Sequence, residues 1–264
     1  MDTIIIGPHA PRLAVSVAGQ GPLVLMVHGM GGDRTTWHAQ IEALQPHFTA
    51  ASVDLRGYGG SGDIEGPLDF HRDFGADLLT VLDHFNAPRA HLVGLSMGSR
   101  VVRSLALRHP ERVASLVLAN GSPGFDAMTA EDVERFIADR SAGFAGGRVP
   151  ASFGMDQARA MCAPDAAPEA LRIAADAMQR IRLANYLAVL DASTRQDRGD
   201  LLERIACPTL VISSDQDRVY PEYVTQQLVD RIPGAVHARI EHAGHLSNLE
   251  QPEAFNRAVL DFLL

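Results

Sequence analysis

Short apolar runs alternate with longer stretches of helical periodicity along most of the chain. Residues 23–27 form a continuous apolar run closed by a His-Gly pair, which is typical of a central strand buried on both faces. The same patterns predict further strands at residues 48–53, 90–95, 113–119, 209–213 and 236–240, and helices at residues 69–85, 97–109, 221–231 and 252–263. This alternation predicts an α/β fold built from parallel βαβ units.

The rhythm changes between residues 128 and 193, where the pattern is helical, with glycine and proline interruptions and no strand-like run. We therefore predict a core formed by residues 1–121 and 196–264, with a helical cap of residues 122–195 inserted between its two parts. A few apolar cap residues should face a pocket, because ligand sites are largely apolar. The candidates are Phe136, Phe144, Phe153, Met155, Met161, Leu183 and Tyr186.

The composition narrows the possible chemistry. The chain has 264 residues with 46% hydrophobic and 21% charged residues, which fits one large globular domain. All 23 basic residues are arginines, against 32 acidic residues, for a net charge of −9. The absence of lysine excludes a lysine Schiff base and a P-loop lysine. The acidic balance argues against a nucleic-acid partner, since duplex binding needs a basic face.

Location and cofactors can also be estimated from the sequence. Cys162 and Cys207 are the only cysteines, and the start of the chain shows no signal-peptide pattern, so we expect a reduced, cytoplasmic protein. No apolar run approaches the roughly 18 residues of a membrane helix, so no membrane partner is expected. The histidines lack paired ligand spacing, and the glycine-rich stretch at residues 57–62 does not open a dinucleotide-binding unit. We therefore expect neither a metal nor a cofactor.

Residues 94–98 (GLSMG) form a G-x-S-x-G motif that lies between a predicted strand and a predicted helix. In this context the motif indicates a strained strand-to-helix turn that exposes Ser96 as a nucleophile. A glycine-flanked turn with a solvated serine is the alternative. We favour the nucleophile because both flanking elements have the pattern that the motif requires.

A serine nucleophile needs a base, and the base needs an acid that orients it. Asp217 follows one predicted strand and His245 follows the next, so all three side chains belong to the carboxyl edge of the sheet, where open α/β sheets place their sites. Asp215 and His242 are alternatives for the acid and the base. Asn120 follows another strand, but it cannot serve as a carboxylate.

Four segments carry a resemblance to a known family: residues 28–32 (HGMGG), 54–61 (DLRGYGGS), 94–98 (GLSMG) and 244–245 (GH). Together they resemble the α/β-hydrolase fold family over essentially the whole chain outside the cap. The resemblance implies a mostly parallel eight-stranded sheet flanked by helices, and a structural role for the loop histidine, here His28. It also implies an oxyanion hole formed by the backbone N–H groups of Met30 and Met97, and it favours Asp217 as the acid.

Within that family, a serine at this position is unlike the aspartate of haloalkane dehalogenases and epoxide hydrolases. The elbow and the tail at residues 245–252 (HLSNLEQP) resemble 3-oxoadipate enol-lactonases and small carboxylesterases. We therefore expect a serine hydrolase that cleaves a small-molecule ester or lactone. Carbon–carbon bond hydrolases of ring-cleavage diketones are an alternative, although they usually have Asn and Trp where this chain has Leu95 and Leu246. A small-molecule receptor on the same fold is a further alternative, and either a monomer or a homodimer is compatible with the sequence.

The absence of lysine also bears on the substrate, because any anionic group must then be met by arginine, whose planar fork suits a carboxylate. We hypothesise that one cap arginine reaches the pocket if the substrate is an acid. The candidates are Arg135, Arg140, Arg148, Arg159, Arg172, Arg180 and Arg182.

Overall fold

The computed structural model describes residues 1–7, 11–125, 127–144, 146–197, 199 and 201–264. Its centre is one eight-stranded sheet with the strand order β1-β2-β4-β3-β5-β6-β7-β8. The strands are β1 (Asp2–Ile6), β2 (Leu13–Ala18), β3 (Leu23–Val27), β4 (Thr49–Val53), β5 (Ala90–Leu95), β6 (Val113–Ala119), β7 (Thr209–Ser214) and β8 (Val236–Ile240). β2 pairs antiparallel with both β1 and β4, and every other pairing is parallel. The mostly parallel eight-stranded sheet is confirmed.

Helices cover both faces of the sheet. They are α1 (His38–Leu44), α2 (Phe70–His84), α3 (Met97–Arg108), α4 (Ala130–Ser141), α5 (Phe153–Met161), α6 (Pro168–Gln179), α7 (Leu183–Gln196), α8 (Glu222–Arg231), α9 (Ser247–Glu250) and α10 (Pro252–Leu263). In the described part of the chain, no helix is long and apolar enough to cross a membrane.

Two apolar cores follow from the alternation of side chains along each strand. In β3, Leu25 belongs to the core shared with α2 and α3, while Met26 belongs to the core on the opposite face. Trp37 is fully buried in the second core, where its ring centroid lies 6.0 Å from that of Phe255. Because β3 is buried on both faces, it reads as an uninterrupted apolar run.

The predicted elements match the structure to within two residues at their ends, and the helix at residues 252–263 matches on both sides. The apolar pattern alone predicts neither β1 nor β2 nor α1. β1 lies at the edge of the sheet, and three of its five residues are exposed. An edge strand of this kind carries little of the hydrophobic pattern by which strands are recognised.

Between β6 and β7 the described residues contain α4, α5, α6 and α7, and no strand. This helical segment corresponds to the predicted cap. A short 3-10 turn at Ala142–Phe144 lies between α4 and α5, and another at Leu202–Arg204 lies between α7 and β7. The boundaries of core and cap at residues 121 and 195 stay a prediction.

Candidate active site

Ser96 lies at the sharp turn between β5 and α3, with φ of 55° and ψ of −117°. A non-glycine residue in this region of φ is strained and often belongs to a functional site. The flanking glycines allow the turn to form: a Cβ on Gly94 would overlap the carbonyl oxygen of Gly98, and a Cβ on Gly98 would overlap that of Val27. The tight turn therefore explains why the motif has glycine two positions before and after the serine.

Asp217 follows β7 and His245 follows β8, and the sheet brings the two side chains into contact. The Nδ1 atom of His245 lies 2.9 Å from Oδ2 of Asp217, and both side chains are 1% exposed. The other carboxylate oxygen of Asp217 accepts hydrogen bonds from the backbone N–H groups of Val219 (2.8 Å) and Tyr220 (2.9 Å). Burial opposes ionisation of Asp217, but the charge of His245 and these hydrogen bonds hold its pKa below the ordinary value.

Asn120, which the sequence excluded as the acid, supports Asp217 instead. Its amide Nδ2 donates to Oδ2 of Asp217 (3.0 Å) and to the hydroxyl of Ser214 (2.5 Å). Its Oδ1 accepts a hydrogen bond from the hydroxyl of Ser247 (2.5 Å). Asn120 is fully buried and has a positive φ of 45°. Its position after a buried strand was a visible signal, but its partners are 94 or more residues away in the sequence.

The two alternatives for acid and base lie elsewhere. Asp215 is half-buried, and its Oδ1 accepts a hydrogen bond from the backbone N–H of Ala243 (3.1 Å). His242 is exposed. Neither of them lines the cavity that Ser96 and His245 share.

The second ring nitrogen of His245 differs from the first in its contacts. Nε2 is buried and has no hydrogen-bond partner among the described residues. No hydrogen bond joins Ser96 to His245 within the same set, although both line one cavity. The ring of Tyr220 packs edge-on against the imidazole, with centroids 5.4 Å apart. The imidazole is thus oriented at Nδ1 and available at Nε2.

The backbone around His245 is held by a buried carboxylate. Glu250 accepts hydrogen bonds from the backbone N–H groups of Ala163 (2.7 Å), Gly244 (3.0 Å) and Leu246 (3.1 Å). Burial is the main effect on its pKa, which is raised above the ordinary value in spite of these donors. Because Ala163 follows α5, the same carboxylate joins the helical segment to the histidine loop.

The loop after β3 carries Met30 and is fixed by His28. The imidazole of His28 donates from Nδ1 to the carbonyl of Gly29 (2.8 Å) and accepts at Nε2 from the backbone N–H of Leu55 (3.1 Å). This pair of bonds requires a neutral ring, and burial, which lowers the pKa of His28, favours that form. Met30 and Met97 both line the cavity, and among the described residues neither of their amides donates to a protein acceptor.

The cavity at Ser96 has a volume of about 520 Å³, including its open mouth. Two of the seven apolar candidates of the cap, Phe136 and Met161, line it. Of the seven candidate arginines, Arg140 lines it. Arg100 also lines it and was not among the candidates, although it lies in the first turn of α3, four residues after Ser96.

Several other cap arginines are engaged in ion pairs away from this cavity. Arg180 pairs with Asp33, with a closest N···O distance of 2.6 Å, and Arg172 pairs with Glu169 at 2.6 Å. The pair of Arg180 joins α6 to the Met30 loop. Both guanidinium groups therefore have an acidic partner within the protein and need no ligand to balance their charge.

A second cavity of about 350 Å³ adjoins the first. Both are lined by Gly29, Met30, Leu95 and Leu246, and the second is lined also by Trp37. The indole Nε1 of Trp37 is buried and has no hydrogen-bond partner among the described residues. Trp37 is therefore a core residue and also part of a cavity wall.

The described part of the chain contains no group of three or more His, Cys, Asp or Glu side chains placed to hold a metal ion. Cys162 and Cys207 are both free thiols.

The sequence profile of the α/β hydrolase fold family matches residues 22–252. The chain belongs to this family. Among its relatives, 3-oxoadipate enol-lactonase 2 of Acinetobacter baylyi is 28% identical over 98% of this chain and 94% of the relative. A 2-hydroxy-6-oxononadienedioate/2-hydroxy-6-oxononatrienedioate hydrolase of Cupriavidus pinatubonensis is 30% identical over 99% and 93%.

Solved structures of the family are similar over the whole chain. A thermophilic esterase from Thermogutta terrifontis, with malate bound, has a TM-score of 0.87 at 28% identity and covers 100% of this chain and 98% of its own. The enol-lactonase from Burkholderia xenovorans LB400 has a TM-score of 0.80 at 26% identity, with 99% of each chain covered. The chain is thus an α/β hydrolase, and its esterase and enol-lactonase relatives are consistent with an ester hydrolase.

Proposed function

We propose that this α/β hydrolase cleaves a small-molecule ester or lactone through an acyl-enzyme formed on Ser96. One observation carries the proposal. Ser96 occupies a strained turn at the wall of a cavity that it shares with His245, whose Nδ1 is bonded to Asp217 and whose Nε2 is unpaired among the described residues. A nucleophile, a base with one free nitrogen and an acid that orients it are the three groups of acyl transfer.

In the proposed mechanism, Nε2 of His245 takes the hydroxyl proton of Ser96 as Ser96 attacks the substrate carbonyl. Asp217 stabilises the imidazolium, and the amides of Met30 and Met97 donate to the oxyanion. His245 then protonates the leaving oxygen, which departs as an alcohol or stays attached as the opened end of a lactone. Water, deprotonated by His245, attacks the acyl-enzyme, releases the acid and restores Ser96.

The relatives and the residues of the cavity wall support an ester or lactone over a carbon–carbon bond as the group that is cleaved. The enol-lactonase and esterase relatives act on the classes of substrate that this mechanism serves. Leu95 and Leu246, at the places where carbon–carbon hydrolases have Asn and Trp, both line the cavity. These apolar side chains favour ester or lactone cleavage.

The test compares hydrolysis of p-nitrophenyl acetate and of simple lactones by the wild type, Ser96→Ala and Ser115→Ala. Ser115 serves as the control because its side chain is buried, bonds His91 and does not line the cavity. Ser96→Ala is expected to lose at least about 10³-fold in kcat, while Ser115→Ala keeps most of it. Activity of Ser96→Ala within tenfold of the wild type would contradict the proposal.

The carbon–carbon hydrolase alternative is supported by the Cupriavidus pinatubonensis relative at 30% identity. A panel of enol-lactones, saturated lactones, aryl esters and vinylogous 1,5-diketones separates the two. Higher kcat/KM for a diketone than for every ester and lactone would favour the alternative.

The receptor alternative makes a different kinetic prediction. A receptor with an intact triad would release at most one equivalent of p-nitrophenol per chain, whereas an enzyme turns over many times. Multiple turnovers that are lost in Ser96→Ala favour the enzyme.

A further inference from the structure

Arg100 lies in the first turn of α3, four residues after Ser96, and lines the same cavity. The residue is 2% exposed. Its guanidinium group lies 4.7 Å from the ring centroid of Phe125 and donates from Nη1 to the carbonyl of Ser193 (3.2 Å). Phe125 and Ser193 line the cavity too, so these contacts place the guanidinium group at its wall.

The charge around Arg100 is unbalanced among the described residues. Arg100 and Arg103 share one carboxylate, that of Asp197, with N···O distances of 3.2 and 2.6 Å, and all three side chains are buried. Two guanidinium groups against one carboxylate leave one positive charge in excess. Burial, together with the neighbouring charge of Arg100, lowers the pKa of Arg103 against the attraction of Asp197. The cluster therefore has the charge to accept a further anion.

One donor of Arg100 also lacks a partner. Its Nε is buried and makes no hydrogen bond to any residue that the structure describes. An unpaired donor on a buried charged group is unfavourable, and the general expectation is that such groups are satisfied by a ligand or by water. A carboxylate accepts both hydrogen bonds and charge from a guanidinium group.

We propose that Arg100 binds a carboxylate of the substrate, so that the substrate is an ester or lactone that carries a second, ionised acid group. This inference rests on the proposed function, since it names the substrate class of the same site. Ser96 and Arg100 line one cavity of about 520 Å³, so the carboxylate and the reacting carbonyl belong to one small molecule. The residue is a specificity-determining group and takes no part in the chemical step.

Arg140, the cap arginine that lines the cavity, is the competing candidate. It is exposed, and its guanidinium group lies 4.4 Å from the ring centroid of Phe136. Exposed ion pairs contribute little because water screens them, whereas a buried ion pair that loses one partner is strongly destabilised, so a buried guanidinium group separates a carboxylate from a neutral group more sharply. For this reason the structure assigns the carboxylate to Arg100.

The experiment measures methanol release from monomethyl esters of succinic, glutaric, adipic and pimelic acids. Each is compared with the same ester whose free carboxylate is replaced by a carboxamide. For the wild type, kcat/KM of the carboxylate should exceed that of the carboxamide by about 10- to 100-fold, the range expected of a charge-assisted hydrogen bond. The ratio should peak at one chain length, since a fixed guanidinium group selects a length and long-range attraction does not.

Arg100→Gln should reduce this ratio to about one, whereas the matched control Arg172→Gln should keep the ratio of the wild type. Arg172 is likewise an arginine, but it is exposed, pairs with Glu169 and does not line the cavity. If Arg100→Gln does not fold, Arg100→Lys keeps a charge for Asp197 but has no Nε–H, and the ratio should still fall. The ratio measured on the wild type tests for a carboxylate subsite by itself, whether or not a variant folds.

Three results would overturn the inference. A wild-type ratio near one at every chain length refutes a carboxylate subsite, and if both esters are cleaved with dependence on Ser96, the proposed function stands. Loss of the ratio in Arg140→Gln, but not in Arg100→Gln, assigns the subsite to the cap arginine. Absence of hydrolysis of every ester by the wild type refutes the proposed function and this inference with it.

Discussion

Replacement of Asp217 by Asn tests the proposed acid directly. Oδ2 of Asp217 accepts from two donors, Nδ1 of His245 (2.9 Å) and Nδ2 of Asn120 (3.0 Å), while Oδ1 accepts from the backbone. If the asparagine keeps its oxygen toward the two backbone N–H groups, its NH₂ group faces two donors. His245 then adopts the other tautomer, with the proton on Nε2, and can no longer accept the proton of Ser96.

The structure predicts very different effects on activity and on stability. Asn120 keeps its hydrogen bond to Ser214, and His245 avoids an unpaired donor by changing tautomer. We therefore expect a loss of about 1–3 kcal/mol in the free energy of unfolding, comparable to one impaired buried hydrogen bond. The loss in kcat should be about 10³–10⁴-fold, because the base is in the wrong protonation state.

The assay is hydrolysis of p-nitrophenyl acetate at neutral pH, combined with urea unfolding of the same samples. Asp215→Asn is the matched control, because Asp215 is only two residues away and bonds the backbone of Ala243 instead of His245. We expect Asp215→Asn to keep kcat within about tenfold of the wild type, since it leaves the contact between Asp217 and His245 intact.

The pH dependence of stability provides a second readout. Because the pKa of folded Asp217 lies below its ordinary value of 3.8, its stabilisation is present above that value and is lost as the pH falls through the folded pKa. The difference in unfolding free energy between the wild type and Asp217→Asn should therefore shrink as the pH is lowered below 3.8.

Two results would refute this reasoning. If Asp217→Asn retained more than a tenth of the activity while Asp215→Asn lost it, Asp215 would be the acid. If neither variant lost activity, no acid at this loop would orient His245.

Two further predictions concern the elbow and the cysteines. Gly98→Ala should lower the free energy of unfolding by at least about 2 kcal/mol and abolish activity, because the new Cβ overlaps the carbonyl of Val27. Gly143 has open space around it, so Gly143→Ala should change the free energy of unfolding by less than about 0.5 kcal/mol. Urea unfolding measures both values. Equal stability of the two variants would contradict the steric account. Cys162 should resist iodoacetamide in the native protein, since burial raises the pKa of its thiol to about 12, and it should react together with Cys207 once urea unfolds the chain, as followed by mass spectrometry. Rapid labelling of Cys162 in the folded protein would contradict its burial in the core.

Much of the fold could be predicted because its signals are local. The central strands are buried on both faces, so they appear in the sequence as unbroken apolar runs, as in β3. The turn at Ser96 is also local, because the glycines two residues on either side are required by contacts of the turn itself and of the adjacent strand. The edge strand β1 lacks this signal because most of its residues are exposed.

The candidate site was predicted only in part. Ser96, Asp217 and His245 each follow a strand with a clear pattern, so their assembly at one edge follows from the parallel topology. The roles of Asn120 and Glu250 depend on contacts between loops that are distant in the sequence. The place of Asn120 after a buried strand is visible in the sequence, but its partners are not.

By itself the sequence determined the order of the strands and helices from β3 onward except α1, the elbow, the order of the three candidate side chains, and the exclusion of lysine chemistry. The tertiary structure alone decided which arginines line the cavity: Arg140 lines it in an exposed position, and Arg100, from outside the predicted cap, lines it in a buried position. The physical reason is that a local pattern reports the conformation and burial of a segment. The surroundings of a charged side chain depend on which distant groups, here Asp197 and Phe125, the folded chain brings to it.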